Sequence, residues 1–283
     1  MRSSASLHPD TALGPVTIRV ADLQRSLRFY EEILGFRPAP GDNGLAALAA
    51  GGPPVMLLKQ VPGARAHRRY SGLYHVAIVV PSRPALGQAL RRLAQAEIRI
   101  GQADHLVSEA LYLSDPDGNG IEIYRDRPRS EWKWSEGKVQ MATDPLDLEG
   151  LLQEGDRAPS PSRLFPEGTR IGHVHLQVAD VEQAVRFYHD AIGFDLTAQW
   201  QGAAFLSAGG YHHHLGLNSW ASRGAPAAPE GSAGLESFVI RVPDAQTKAG
   251  VVDRLRAAGI TARTDDRLLR VRDPWNVEVI VAC

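Results

Sequence analysis

The sequence predicts an α+β fold built from four βαβββ modules. Three observations carry this: an internal repeat, strand and helix periodicities alternating inside each repeat, and short Gly- and Pro-punctuated strands after each helix. The repeat comes first. V-T-I-R-V-A-D-L-Q-R-S-L-R-F-Y-E-E-I-L-G-F, starting at Val16, aligns without a gap on V-H-L-Q-V-A-D-V-E-Q-A-V-R-F-Y-H-D-A-I-G-F, starting at Val174. A second pair, H-V-A-I-V-V-P-S from His75 and S-F-V-I-R-V-P-D from Ser237, continues at the same offset through R-R-L-A-Q-A-E-I at Arg91 and D-R-L-R-A-A-G-I at Asp253.

Each module opens on an alternating strand, with Val174, Leu176 and Val178 on one face. Asp22 or Asp180 then caps a helix, because a short carboxylate satisfies the free N–H groups of a first helical turn. Val181, Ala184, Val185, Tyr188 and Ile192 recur at helical spacing. Gly35 or Gly193 ends the helix, and further short strands follow between Gly and Pro. Residues 128–168, between modules 2 and 3, form a Pro/Asp/Glu-rich linker whose Trp132 and Trp134 are expected to pack on a domain.

Composition removes several function classes. The 283 residues suffice for about two domains. A net charge of -1 gives no electrostatic case for nucleic acid or an anionic membrane surface. No apolar run approaches the roughly 20 residues needed to cross a bilayer, and M-R-S-S-A-S-L-H-P-D lacks the apolar core of a signal peptide. The single cysteine, Cys283, leaves disulfides no part in the fold, so a reducing cytoplasm is the expected location.

His75, Glu122 and His173 lie on predicted strands, each on the face opposite to the core residues Val76 and Ile78, Ile121 and Ile123, or Val174 and Leu176. Two neutral imidazoles and one carboxylate are the ligand set of a non-haem Fe(II) centre with open coordination positions. His175 shares the face of His173 and competes with it.

The motifs V-A-D-L-x-x-S-L-x-F-Y-x-x-x-L-G-F and D-P-D-G-N-G-I-E resemble those of the vicinal oxygen chelate superfamily, which includes glyoxalase I, bleomycin-resistance proteins and extradiol dioxygenases. The resemblance implies that modules pair, each pair curling a mixed sheet around a cavity. It divides the chain into a flexible tail (1–10), a first domain of modules 1 and 2 (11–127), the linker (128–168) and a second domain of modules 3 and 4 (169–283). It also implies a metal ligand on the first strand of a module, seven residues before the helix cap: His75 and His173 fill that position, whereas Pro15 and Ser237 do not. The carboxylate position on the last strand holds Glu122 in module 2; Glu278 in module 4 has no accompanying histidine and reads as an ordinary strand carboxylate. The triad thus spans modules 2 and 3, which are expected to pair within the chain rather than between chains.

Within module 2, His105, Leu111, Tyr112, Asp115, Pro116, Gly118 and Glu122 follow the extradiol dioxygenase pattern, with Ala103 as a departure. Asp115 to Gly118 reads as a tight turn. H-H-L-G-L at His213 resembles the stretch whose first histidine is the acid–base residue; strand alternation would put His212 and His214 on the other face. The resemblance therefore implies a catechol 2,3-dioxygenase. His75, His173 and Glu122 would hold Fe(II), or Mn(II) as the alternative. His213 is the expected acid–base group, Tyr112 and His105 would contact substrate oxygens, and the substrates are a small aromatic diol and O2. The competing readings are a metal-dependent glyoxalase-like isomerase, which would want a second carboxylate where module 3 has Leu215, and a non-enzymatic binding protein of the resistance type. Homo-oligomers are common for this fold, and neither nucleic acid nor membrane is an expected partner.

Overall fold

A computed structural model describes residues 6–41, 44–67, 69–158, 162–265 and 267–283. Module 1 comprises β1 (Ala12–Val20), a helix α1 (Leu23–Arg28, continued as a π-helix over Phe29–Leu34), β2 (Arg37–Ala39), β3 (Ala46–Ala49) and β4 (Pro54–Gln60). Module 2 comprises β5 (Gly72–Val79), α2 (Arg83–Gln95), β6 (Gly101–Asp104), β7 (Ser108–Ser114) and β8 (Gly120–Asp126). The linker holds a two-stranded hairpin, β9 (Trp134–Ser135) and β10 (Lys138–Val139), and α3 (Leu148–Asp156). Module 3 runs through β11 (Arg170–Gln177), α4 (Val181–Val185, continued as a π-helix over Arg186–Ile192), β12 (Asp195–Trp200), β13 (Ala203–Ser207) and β14 (Leu215–Asn218). Module 4 has β15 (Gly234–Arg241), α5 (Ala245–Ala257), β16 (Arg263–Thr264), β17 (Leu268–Arg272) and β18 (Glu278–Ala282).

The four helices of the modules start as their sequences dictate. Asp22, Ser82, Asp180 and Asp244 each accept a hydrogen bond from the backbone N–H three residues on, at 2.9, 3.3, 3.0 and 2.7 Å. Gly35 and Gly193 end α1 and α4 in the left-handed region, at φ 92° and 109°. The helical period foreseen through Ile192 is interrupted: both helices widen after their first turns, a departure that hydrophobic spacing does not reveal.

The strands form two eight-stranded sheets, ordered β16-β17-β18-β15-β1-β4-β3-β2 and β12-β13-β14-β11-β5-β8-β7-β6. Module 1 shares a sheet with module 4, and module 2 with module 3. Each sequence half therefore lends one module to each sheet. The seam of the second sheet is the antiparallel pair β5 and β11, with His75 opposite His175; the seam of the first is β1 and β15, with Thr17 opposite Ser237. Contacts within a half persist across the sheets. Tyr30 in α1 donates to Asp115 in the turn of module 2 at 3.1 Å, and Tyr188 in α4 donates to Asp273 in module 4 at 2.9 Å. One continuous core joins the four modules, drawing Val16 and Ile18, Val76 and Ile78, Val174 and Leu176, and Phe238 and Ile240 from the four opening strands.

The predicted tail is anchored from Leu7 on: that side chain is buried and its N–H donates to the Gly193 carbonyl at 2.8 Å. The expected flexibility of residues 1–5 lies outside the described residues. The linker is a structured strap. Trp132 is buried against Val139, Phe205 and Tyr211, as expected, but Trp134 is exposed because it sits on the outer β9 hairpin. Arg83 on α2 binds Glu109 on β7 and Glu154 on α3, tying the strap to module 2. Among the described residues no helix is long and apolar enough to cross a membrane.

Candidate metal centre and active site

Four adjacent strands of the second sheet, β8, β5, β11 and β14, present the chemistry. Parallel pairing sets Ala77 opposite Glu122, and antiparallel pairing sets His173 opposite Ala77, so Glu122 and His173 flank β5 at one level. The pairing of β5 with β11 slips between His175 and Leu176, leaving Tyr74 as an extra residue in β5. Such a bulge re-aims side chains, and Tyr74 and His75, although consecutive, both line the cavity.

His75 Nε2 stands 2.9 Å from Glu122 Oε2, His173 Nε2 stands 2.9 Å from the same oxygen, and the two nitrogens are 3.2 Å apart. All three residues are buried. Burial by itself would raise the Glu122 carboxyl, but His173 and His75 outweigh it and hold the group well below the usual carboxylate range. Burial lowers the His173 imidazole to about 4 against the opposing pull of Glu122. A carboxylate facing a neutral imidazole is the protonation state that metal binding requires. Three lone-pair donors crowded to this degree repel one another unless a cation lies between them. Cis donors on an octahedral metal with bonds of about 2.1 Å sit about 3.0 Å apart, so the donor set fits a facial triad. Aiming Nε2 at this centre leaves His173 Nδ1 buried without a partner.

The surrounding cavity, about 320 Å³, is of the size that holds a small ligand. It is lined by all six residues singled out from sequence: His75, His105, Tyr112, Glu122, His173 and His213. His105 Nδ1 donates to the Ala142 carbonyl of the strap at 2.6 Å, so its Nε2 is an acceptor, and the Tyr112 hydroxyl lies 2.7 Å from it. Burial and then the Glu122 charge push the Tyr112 phenol well above its ordinary value, keeping it protonated. His213 packs on His173 with ring centroids 4.1 Å apart. Burial, followed by the neighbouring His173 and His212, pushes His213 well below the normal imidazole range, so it rests neutral rather than poised near pH 7.

Two expectations need correction. Strand alternation does not govern the histidine run, because His212, His213 and His214 precede β14 in an irregular turn. His212 accordingly touches His213, with Nδ1 atoms 2.8 Å apart, while His214 turns into the core and accepts from the Ala208 N–H at 3.2 Å. Nor does Leu215 stand where a second carboxylate would. The register pairs His175 with Gly216 as it pairs Ala77 with Glu122, so the counterpart of Glu122 is Gly216. A Cβ there would lie 2.7 Å from the His175 ring, which fills the space. His175, the competing ligand, points its Nε2 to the Asn218 side-chain amide at 3.0 Å instead of the triad. In the first sheet Ser237, Pro15 and Ile280 stand at the positions of His75, His173 and Glu122; Ser237 donates to Thr17, the counterpart of His175, at 3.1 Å, and Glu278 pairs with Arg270. Sequence reasoning also missed the apolar wall of Trp200, Phe205, Trp220, Tyr74 and Met141. Its available signal was large aromatic residues at strand ends, three of them exposed: Trp200, Trp220 and Tyr74.

A curled sheet of paired βαβββ modules around a cavity defines a class, and known proteins agree with it. The model of the Glyoxalase/Bleomycin resistance protein/Dioxygenase superfamily matches residues 12–123 and 170–279, and the chain belongs to this family. It is 45% identical over 275 residues to a catechol-2,3-dioxygenase of Bacillus subtilis, an alignment covering 95% of this chain and 96% of that protein. In fold it resembles a putative dioxygenase from Bacillus subtilis (TM-score 0.65, 15% identity, 98% of this chain and 86% of that one). It also resembles glyoxalase I from Zea mays (TM-score 0.58, 17% identity, 96% and 92%).

Proposed function

We propose that this protein is an extradiol catechol dioxygenase that opens the ring of an uncharged catechol with O2, giving a 2-hydroxymuconic semialdehyde-type product. The observation that carries the reading is the buried convergence of His75, His173 and Glu122 at one wall of an aromatic cavity. The 45% identity to a protein named for this activity supports it. These three residues would hold Fe(II), with Mn(II) as the alternative, and the bound metal would acidify the diol hydroxyls and bring substrate and O2 together. The His175 ring over Gly216 closes the position of a second carboxylate, which speaks against a glyoxalase-like four-ligand centre.

The chain's own groups divide the remaining work. His213, neutral and facing the cavity, takes the proton of a diol hydroxyl and later returns one. Tyr112, held protonated, gives its one hydroxyl hydrogen to His105 Nε2 in the empty cavity and turns it to a substrate oxygen when one binds. Trp200, Trp220 and Phe205 stack on the ring and keep water out. No Lys or Arg lines the cavity among the described residues, so a carboxylated catechol would be desolvated without compensation.

The test is metal content with ring fission, followed by oxygen uptake and the absorbance of the semialdehyde. His75→Ala, Glu122→Ala and His173→Ala should each remove the iron and the activity while circular dichroism stays unchanged. Full turnover by metal-free protein, or full iron in all three variants, would overturn the reading.

A further inference from the structure

A row of buried polar groups runs from the cavity to the protein surface behind His213. Asp126, at the end of β8, has a side chain 24% exposed, and its Oδ1 stands 2.9 Å from Nε2 of the fully buried His212. His212 Nδ1 stands 2.8 Å from His213 Nδ1. The Tyr211 hydroxyl donates to both Asp126 oxygens at 3.1 and 3.0 Å, and the Tyr124 hydroxyl lies 2.6 Å from that of Tyr211. His212 packs against the Tyr211 and Trp132 rings, at 4.2 and 5.2 Å between centroids.

The proton positions in this row follow from donor and acceptor chemistry. An ionised carboxylate only accepts, so His212 Nε2 carries the hydrogen. Where His212 is the neutral ring its Nδ1 is bare and can only accept, and the hydrogen between the two rings then belongs to His213 Nδ1. A neutral His213 protonated at Nδ1 has a bare Nε2. That nitrogen has no protein partner among the described residues, and His213 lines the cavity. We propose that Asp126 and His212 are positioning residues that fix the Nδ1–H tautomer of His213 and so present its Nε2 lone pair to the substrate hydroxyl. The inference rests on His213 being the base. When the hydroxyl proton moves to Nε2, the cation formed on His213 keeps its Nδ1–H bond to His212, which Asp126 polarises in turn. The same logic orients the histidine of a serine-protease triad through its aspartate.

Two substitutions at His212 separate tautomer control from packing. In His212→Gln the amide NH2 can donate to Asp126 and the amide oxygen can accept from His213 Nδ1–H; in His212→Leu neither bond exists. The relevant readouts are turnover, KM, and the ionisation of 4-nitrocatechol bound without O2, whose visible spectrum distinguishes the mono- from the dianion. His212→Leu should lower kcat by roughly 10- to 100-fold with little change in KM, and leave the bound probe a monoanion. His212→Gln should recover at least about tenfold of that loss and restore the dianion, as fits a hydrogen-bonding role. Asp126→Ala, at a partly exposed position, tests the row from its outer end should His212→Leu not fold, and is expected to lower kcat with KM held. Equal losses in the Gln and Leu variants, or a dianion with normal kcat in both His212→Leu and Asp126→Ala, would overturn the proposal. If His213→Phe itself turns over normally and binds the dianion, the reading of His213 as base falls and takes this inference with it. A monoanion in His213→Phe beside an unaffected His212→Leu and Asp126→Ala leaves His213 its role and removes theirs.

Discussion

Adjacent residues in the histidine run meet different environments, and substitutions should separate them. His213 reaches the cavity and packs on His173, whereas His214 packs on Tyr211 and accepts from a backbone N–H. His213→Phe should keep iron and still bind catechol, and lose turnover by about 100-fold or more. His214→Phe should leave turnover nearly unchanged and destabilise the protein by about 1–3 kcal/mol, the cost of an orphaned buried N–H. Turnover, iron content and urea midpoint on both variants check this; near-normal turnover in the first with collapse in the second reverses the assignment. At this scale the triad was legible from sequence. His75, Glu122 and His173 announced themselves by residue type and by sitting opposite apolar strand neighbours. The orientations of His212 and His214 were not, because the turn before β14 follows no two-residue period.

Among elements, the tie between α4 and the turn before β18 has a pH signature. Asp273 is almost fully buried, accepts from Tyr188 and from the Trp275 and Val277 N–H groups, and burial raises its carboxyl to about 6 from an ordinary 3.8. The folded state therefore holds this proton more tightly than the unfolded chain does. Its stabilisation is complete below pH 4 and is lost as pH rises through about 6, on the order of 3 kcal/mol. Asp273→Asn keeps an acceptor and cannot ionise. The stability difference between wild type and this variant, measured by urea unfolding, should move against the wild type by that amount between pH 4 and 7. A difference that stays flat with pH would show that Asp273 does not titrate in this way. The caps of these helices were readable, since Asp followed by a helical period has one meaning. The π-helical turns and the bulge at Tyr74 were not: they depend on what packs against the element.

For the whole molecule, the decisive feature is that the two sheets join modules from opposite halves of the chain. A chain ending at residue 165 would keep His75 and Glu122 but lose His173 and the β11 partner of β5. It should hold iron poorly, show no ring cleavage and associate through the exposed β5 edge. Iron content, turnover and size-exclusion behaviour of this piece test that; stoichiometric iron with turnover would mean that one half suffices.

Sequence alone determined the modules, their helix caps and which three side chains form the candidate centre. These rest on local periodicity, on the donor capacity of single residues and on a repeat visible without any structure. The pairing of module 2 with module 3 was expected from where the ligands fall, and the sheet order agrees with it; only the tertiary structure decided that Gly216 stands where a second carboxylate would. It alone placed Trp200 and Trp220 on the cavity wall and Asp126 behind His212. Each of these is a contact between segments tens of residues or more apart. Such contacts are set by which sheet edges close on one another and what space the closed sheets leave, and no short-range pattern in the chain encodes that choice.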